Sequence, residues 1–165
     1  MKMSFDSSTL ILLAKTELLR EVAEEIQIII VERVKVESLS KKGSDALLIR
    51  TLIKEKKIEV KKAGNREAVH RIQKDFKIEN GEAEALWLAI TLDCPLAVDD
   101  WPAIKACKIL GRSFTTAIHF ILKLASDGRL ERVMALEKLK KLSRYGRYSG
   151  RILEDAIGRL KGGRP

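Results

Sequence analysis

The stretch Ile26-Gln27-Ile28-Ile29-Ile30-Val31 constrains this chain more than any other. All but one of its residues branch at Cβ, which favours extended backbone, and the run offers no polar face to water. A strand of this kind must be covered on both faces, the condition met inside a parallel sheet flanked by helices. Other segments fit the same plan. Residues 2–5 read as a buried first strand, 57–61 alternate, 95–98 are apolar, and Ser113-Phe114 reads as a short edge strand. Helical stripes separate them: Leu10, Leu13 and Ala14; Leu48, Leu52 and Ile53; Val69, Ile72 and Phe76; and an Ala/Leu-rich segment over 82–93. Strands alternating with helices predict an α/β fold with a parallel sheet of four to five strands, helix content exceeding strand content.

Local signals sharpen the expected boundaries. Ser7 and Ser8 are expected to cap a helix starting near Thr9, and Thr16 to cap a second helix over 16–25. Residues 31–39 and 44–57 read as helices, the latter capped by Ser44 or Asp45. Helices over 65–76, 101–110 (closed by Gly111) and 116–125 follow, with further ones over 131–142 and 151–160. The last two carry apolar stripes at Val133, Leu136, Leu139 and Leu142, and at Ile152, Leu153, Ile157 and Leu160. These need cover, from the sheet or from a second copy of the chain. The end, Gly162-Gly163-Arg164-Pro165, is expected to fray.

A chain of 165 residues suggests one domain over 1–165, with 131–165 a basic helical extension packed on it or placed at a dimer interface. No apolar run approaches the roughly 20 residues of a membrane span, and the early acid at position 6 argues against a signal peptide, so the expected location is cytoplasmic. Cys94 and Cys107 have no partner at zinc-ligand spacing and read as reduced thiols. His119 lies on an apolar helix and reads as a core or interface histidine, and His70 as a surface one. Charge is uneven. Residues 1–100 hold 17 basic and 18 acidic side chains, whereas 101–165 hold 15 and 5, so the whole excess of +9 comes from the last third. Such a region attracts a polyanion. Candidate contacts to an RNA backbone are Lys138, Lys140, Lys141, Arg144, Arg147 and Arg151, with Tyr145 and Tyr148 interleaved; a solvated helix face is the alternative.

The acids of the first hundred residues recur at one kind of place. Asp6 ends the first strand, and Asp99 and Asp100 end the strand over 95–98. Glu37 lies one turn beyond the second strand, and Glu82 opens the helix that leads into Asp99-Asp100. Ligands of open parallel sheets bind outside the carboxyl ends of the strands, so these side chains are expected to meet in one crevice. Crowded carboxylates repel, and a hard divalent cation removes the repulsion. Singly, each acid has a plainer reading: Asp6 a helix cap, Glu37 a solvated helix residue, Asp99-Asp100 a cap pair.

Asp6-Ser7-Ser8-Thr9-Leu10-Ile11, Val34-Lys35-Val36-Glu37, Gly81-Glu82-Ala83-Glu84-Ala85 and Leu96-Ala97-Val98-Asp99-Asp100 together resemble the acidic motifs of PIN domains, in their order and spacing. Gly81–Ala85 is similar to the Gly-Glu-Ala-Glu-Ala variant of one subgroup. The likeness covers about residues 3–130. It implies a three-layer α/β/α sandwich with strand order 3-2-1-4-5, and metal-dependent endoribonuclease activity, often as the VapC-like toxin of a toxin–antitoxin pair. It implies Asp6, Glu37, Glu82 and Asp100 as the catalytic acids, with Asp6, Glu82, Asp99 and Asp100 holding Mg²⁺ or Mn²⁺, and Ser8 and Thr116 supporting them. Glu82 and Glu84 diverge by about 200° on a helix, and Glu82 is favoured because its first-turn position lets it face the strand ends. RNA, an antitoxin protein and a second copy of the chain are the implied partners. Thr115-Thr116 departs from the subgroup's Gly-Thr, and Trp101-Pro102 replaces the usual Arg after the paired Asp; Trp101 reads as core packing sooner than as a base-stacking surface. The other readings are a catalytically silent PIN-fold module that binds nucleic acid or protein, and a Rossmann-like nucleotide binder, against which stands the lack of a Gly-rich phosphate loop.

Overall fold

In the computed structural model, which describes residues 1–162, the chain opens with strand β1 (Lys2–Phe5), buried at its last three positions. Asp6 ends it and caps helix α1 (Ser7–Lys15), so Ser7 and Ser8 lie inside the helix they were expected to cap. The helix expected over 16–25 is shorter, because Glu17 takes a left-handed backbone (φ 58°) and α2 spans Leu19–Glu25. Thr16 does not cap it; its hydroxyl donates back to the Leu12 carbonyl. The β-branched run then forms β2 (Gln27–Val31), with its last four residues buried. Helices α3 (Glu32–Leu39) and α4 (Ser44–Lys54) lead to β3 (Ile58–Lys61). Gly43 occupies the cap position of α4 and no side chain caps it, in place of Ser44 or Asp45. Helices α5 (Arg66–Phe76) and α6 (Asn80–Thr91) precede β4 (Leu96–Ala97), and α7 (Trp101–Ile109) precedes β5 (Phe114–Thr115).

The strands form one parallel sheet in the order β3-β2-β1-β4-β5. Helices cover it, α6 against β1, β2 and β4, and α3 against β2 and β3. Phe5, Ile28, Ile30 and Leu96 of the strands are fully buried, as is Leu86 of α6. Ser4, also fully buried, turns its hydroxyl to the Ala85 carbonyl at 2.8 Å and so ties β1 to α6. Because every strand runs the same way, all the strand ends that carry acids lie at one edge of the sheet.

These elements make one compact unit, Met1–Thr115; a second is Thr116–Pro165. The second contains α8 (Ala117–Ser126), α9 (Arg132–Tyr145) and α10 (Gly150–Leu160), packed on one another. Its core uses Ile121, Leu124, Ala135, Leu139, Leu142, Ala156 and Leu160. Val133 and Ile152, read as part of the inward stripes, are instead exposed. His119 is exposed too, which excludes the expected core position, and His70 is exposed as anticipated. Cys94 and Cys107 are buried free thiols. The fraying expected over Gly162-Gly163-Arg164-Pro165 falls, beyond Gly162, outside the described residues. No described helix is long and apolar enough to cross a membrane.

Candidate active site

The site begins at the junction of β1 and α1. The Asp6 N–H donates to the Ala97 carbonyl at 3.0 Å, which aligns the ends of β1 and β4. The Asp6 side chain, only 1% exposed, accepts from the Ser8 N–H through Oδ1 and from the Ser8 hydroxyl through Oδ2 at 3.1 Å. Burial pushes its carboxyl up to about 7. The two Ser8 hydrogen bonds oppose that rise, and the charges of Asp100 and Asp99 add to it.

The residues flanking Ser8 hold other acids. The Ser7 hydroxyl donates to Glu37 Oε2 at 2.9 Å, and the Thr9 hydroxyl to Asp99 Oδ2 at 2.6 Å. Three successive hydroxyls at the start of α1 thus fan out to three different carboxylates, one after the first strand, one on α3 and one after β4. Successive helical positions turn by about 100°, which is what lets neighbours in sequence address separate partners. Sequence reasoning identified only Ser8. The signal for Ser7 and Thr9 was present in the run of hydroxyls directly after Asp6.

Glu82 enters from α6. Its Oε2 accepts from the Glu79 N–H at 3.0 Å, the backward half of a capping box that fixes the side chain over the first turn. Glu79 in place of the usual Ser or Thr hid this box in the sequence. Burial pushes the Glu82 carboxyl up to about 8; a hydrogen bond with Asp100 and the charges of Asp6 and Asp100 work in the same direction, against the Glu79 N–H. Glu84 goes elsewhere, accepting from Arg33 Nε at 3.2 Å. Gly81 was also missed as a site residue. A Cβ built on it would stand 2.5 and 2.6 Å from the two Glu37 carboxylate oxygens, so only glycine leaves room for Glu37 there.

The structure therefore joins Asp6, Glu82, Asp99 and Asp100 in one electrostatic cluster, with Glu37 seated beside Gly81 next to it. Asp99 is half-buried and Asp100 exposed at the head of α7. Among the described residues, no three His, Cys, Asp or Glu side chains close round a single point as a finished cation cage. The donor chemistry nevertheless fits a hard divalent cation: all are carboxylates, and two are raised by burial and by the neighbouring acids. Thr116 accepts from the His119 N–H as the cap of α8. In the second unit, Lys138, Lys140, Lys141 and Arg144 lie on α9, Arg147 follows it, and Arg151 is on α10. Lys140 pairs with Glu137 at 3.2 Å. Trp101, read from the sequence as core packing, is 62% exposed, since its helix begins at the sheet edge with its first residues facing outward.

No curated protein matches the chain. A family model described as PIN domain matches residues 2–161, through both units. With the strand order and the acids at the strand ends, that match establishes that this chain belongs to the PIN-domain family, whose members are nuclease-type modules.

Proposed function

We propose that this protein is a cytoplasmic, metal-dependent endoribonuclease. The observation that carries the reading is the mutual strain of the acidic cluster: Asp6 and Glu82 are pushed up to about 7 and about 8 by burial and by one another's neighbours, with no Lys or Arg among the causes. An enzyme that had no cation to receive would gain stability by neutralising such a cluster.

Asp6, Glu82, Asp99 and Asp100 would hold Mg²⁺ or Mn²⁺ once deprotonated. A bound divalent cation lowers the pKa of a water and stabilises charge on a phosphodiester. Ser8 keeps both oxygens of Asp6 oriented, and Thr9 does the same for Asp99. Glu37, fixed by Ser7 through Oε2, keeps Oε1 to accept a proton from the attacking water. Thr116 is assigned a supporting role, and Lys138, Lys140, Lys141, Arg144, Arg147 and Arg151 contact with the RNA backbone; the charge of the last third supports the latter. Family membership alone supports the finer reading of a VapC-like toxin, restrained by an antitoxin protein and acting as a homodimer.

The test is cleavage of a generic single-stranded RNA with Mn²⁺ or Mg²⁺, repeated with Asp6→Asn. Asparagine caps helices as well as aspartate, so the variant keeps the fold while removing the charge. Cleavage should require the metal and fall by at least about a hundredfold in the variant. Equal cleavage by both proteins would end the reading. RNA bound but left intact by the unaltered chain would favour a silent binding module.

A further inference from the structure

We infer that Trp101, with Lys105 and Lys108 on the same face of α7, forms a stacking-and-phosphate track that seats a single-stranded RNA next to the acidic cluster. The inference rests on the proposed nuclease reading and adds how substrate is held. Trp101 follows Asp100 directly, as the first residue of the helix that Asp100 heads. Large aromatic side chains are usually withdrawn from water, yet 62% of Trp101 is exposed. The ring is already engaged by a cation: Lys108 Nζ lies 5.0 Å from its centroid and 6.0 Å from that of Phe114. Residues four and seven positions apart on a helix share a face, so Trp101, Lys105 and Lys108 form a row about 10 Å long leading away from Asp100. Lys105 and Lys108 are both exposed.

An exposed aromatic followed by cations is the arrangement single strands need. A base stacks on the ring whatever its identity, and the adjoining phosphates meet the ammonium groups. A duplex has no free base face to offer, so the track selects unpaired substrate. A protein partner would draw instead on Ile109 and Leu110, exposed at the far end of α7, and leave the lysines without a purpose.

The experiment measures binding of a fluorescent oligouridylate in EDTA, where cleavage cannot intervene, for the unaltered protein, Trp101→Ala, Trp101→Phe and Lys108→Gln. An abasic oligomer of the same length serves as the second probe. Trp101→Ala should weaken oligouridylate binding about tenfold and leave abasic binding unchanged, while Trp101→Phe retains most of the affinity. Lys108→Gln should weaken both probes and lower the salt dependence by about one counterion. Unchanged oligouridylate affinity in Trp101→Ala would overturn the inference. So would an equal loss on both probes, or a loss of self-association with RNA affinity intact. Asp6→Asn separates the two readings: it should keep the Trp101-dependent affinity while losing cleavage, so either result can fail without the other.

Discussion

The two edges of the sheet treat the same kind of side chain in opposite ways. At the carboxyl edge, Glu82 is pushed up to about 8 by burial and by Asp100 and Asp6. Among the segments that feed the amino edge, Glu55 is held below its ordinary value by a hydrogen bond from Arg20, at 2.8 Å to one oxygen and 3.4 Å to the other. Gln27 likewise donates to Glu59 at 2.9 Å on that side. Glutamates at the amino edge are answered by donors and cations on the surface. Glu82 at the carboxyl edge faces more acids. The contrast teaches that the crowding is local: burial and neighbouring acids raise Asp6 and Glu82 in a chain that carries 32 basic residues.

The largest effect that tests this contrast is at the acids themselves. Asp100→Asn and Glu82→Gln should each lower metal-dependent cleavage by about two orders of magnitude or more, whereas Glu55→Gln should leave the rate as it was. Comparable losses at Glu55 would erase the distinction between the edges.

Next comes the glycine that makes room for Glu37. Gly81→Ala should push that carboxylate aside and lower cleavage, while the melting temperature moves little, because the far end of a flexible side chain gives way. Gly158→Ala, on α10 with open space around it, should instead stabilise by up to about 1 kcal/mol, because alanine favours helix. Cleavage assays should show a loss in Gly81→Ala alone.

Acidity gives a third measurement. Asp6 and Glu82 have folded-state values raised above their ordinary 3.8 and 4.5, to about 7 and about 8. The folded chain therefore binds more protons than the unfolded one between those limits. Their contribution to stability is complete below about pH 4 and is lost as pH rises through 7 and 8. Without metal, the melting temperature should fall between pH 5.5 and 8.5 for this reason. Mn²⁺, which replaces the protons, should raise it more at pH 8.5 than at pH 5.5, by on the order of 5 °C. A metal-induced shift that is larger at the acidic end would contradict the assignment. The smallest effect belongs to the amino edge, where Arg20→Ala should barely move the melting temperature and spare cleavage, because the ion pair is exposed.

Much of the framework was legible in the residues. The run ending in Val31 had to be a covered strand, and alternation with amphipathic stripes led to the parallel sheet; the strand order came from the family resemblance. The acids at positions 6, 99 and 100 could be placed because strand ends are fixed by the pattern that makes the strand, and Glu82 because it opens the helix that leads into them. What escaped reading depends on details that pattern does not encode. Thr16 looked like a cap, but a left-handed Glu17 delays the helix by several residues. Ser7 and Thr9 reach acids through rotamers, and the need for glycine at position 81 arises from a neighbour 44 positions earlier in the chain. Trp101 was misjudged because a Trp at the head of an amphipathic helix ordinarily turns inward, and nothing local says which way the first turn faces.

The buried hydroxyl of Ser4 carries a broader implication. By binding the carbonyl of Ala85, it couples the strand that delivers Asp6 to the helix that delivers Glu82, well beneath the surface where RNA would lie. The spacing of the chemical groups is thus set by the interior, and the outward face of α7 is free to vary. Changes of target preference can accumulate on that face while the carboxylates keep their registration, and Ser4→Ala should blur the chemistry without altering which strand is chosen.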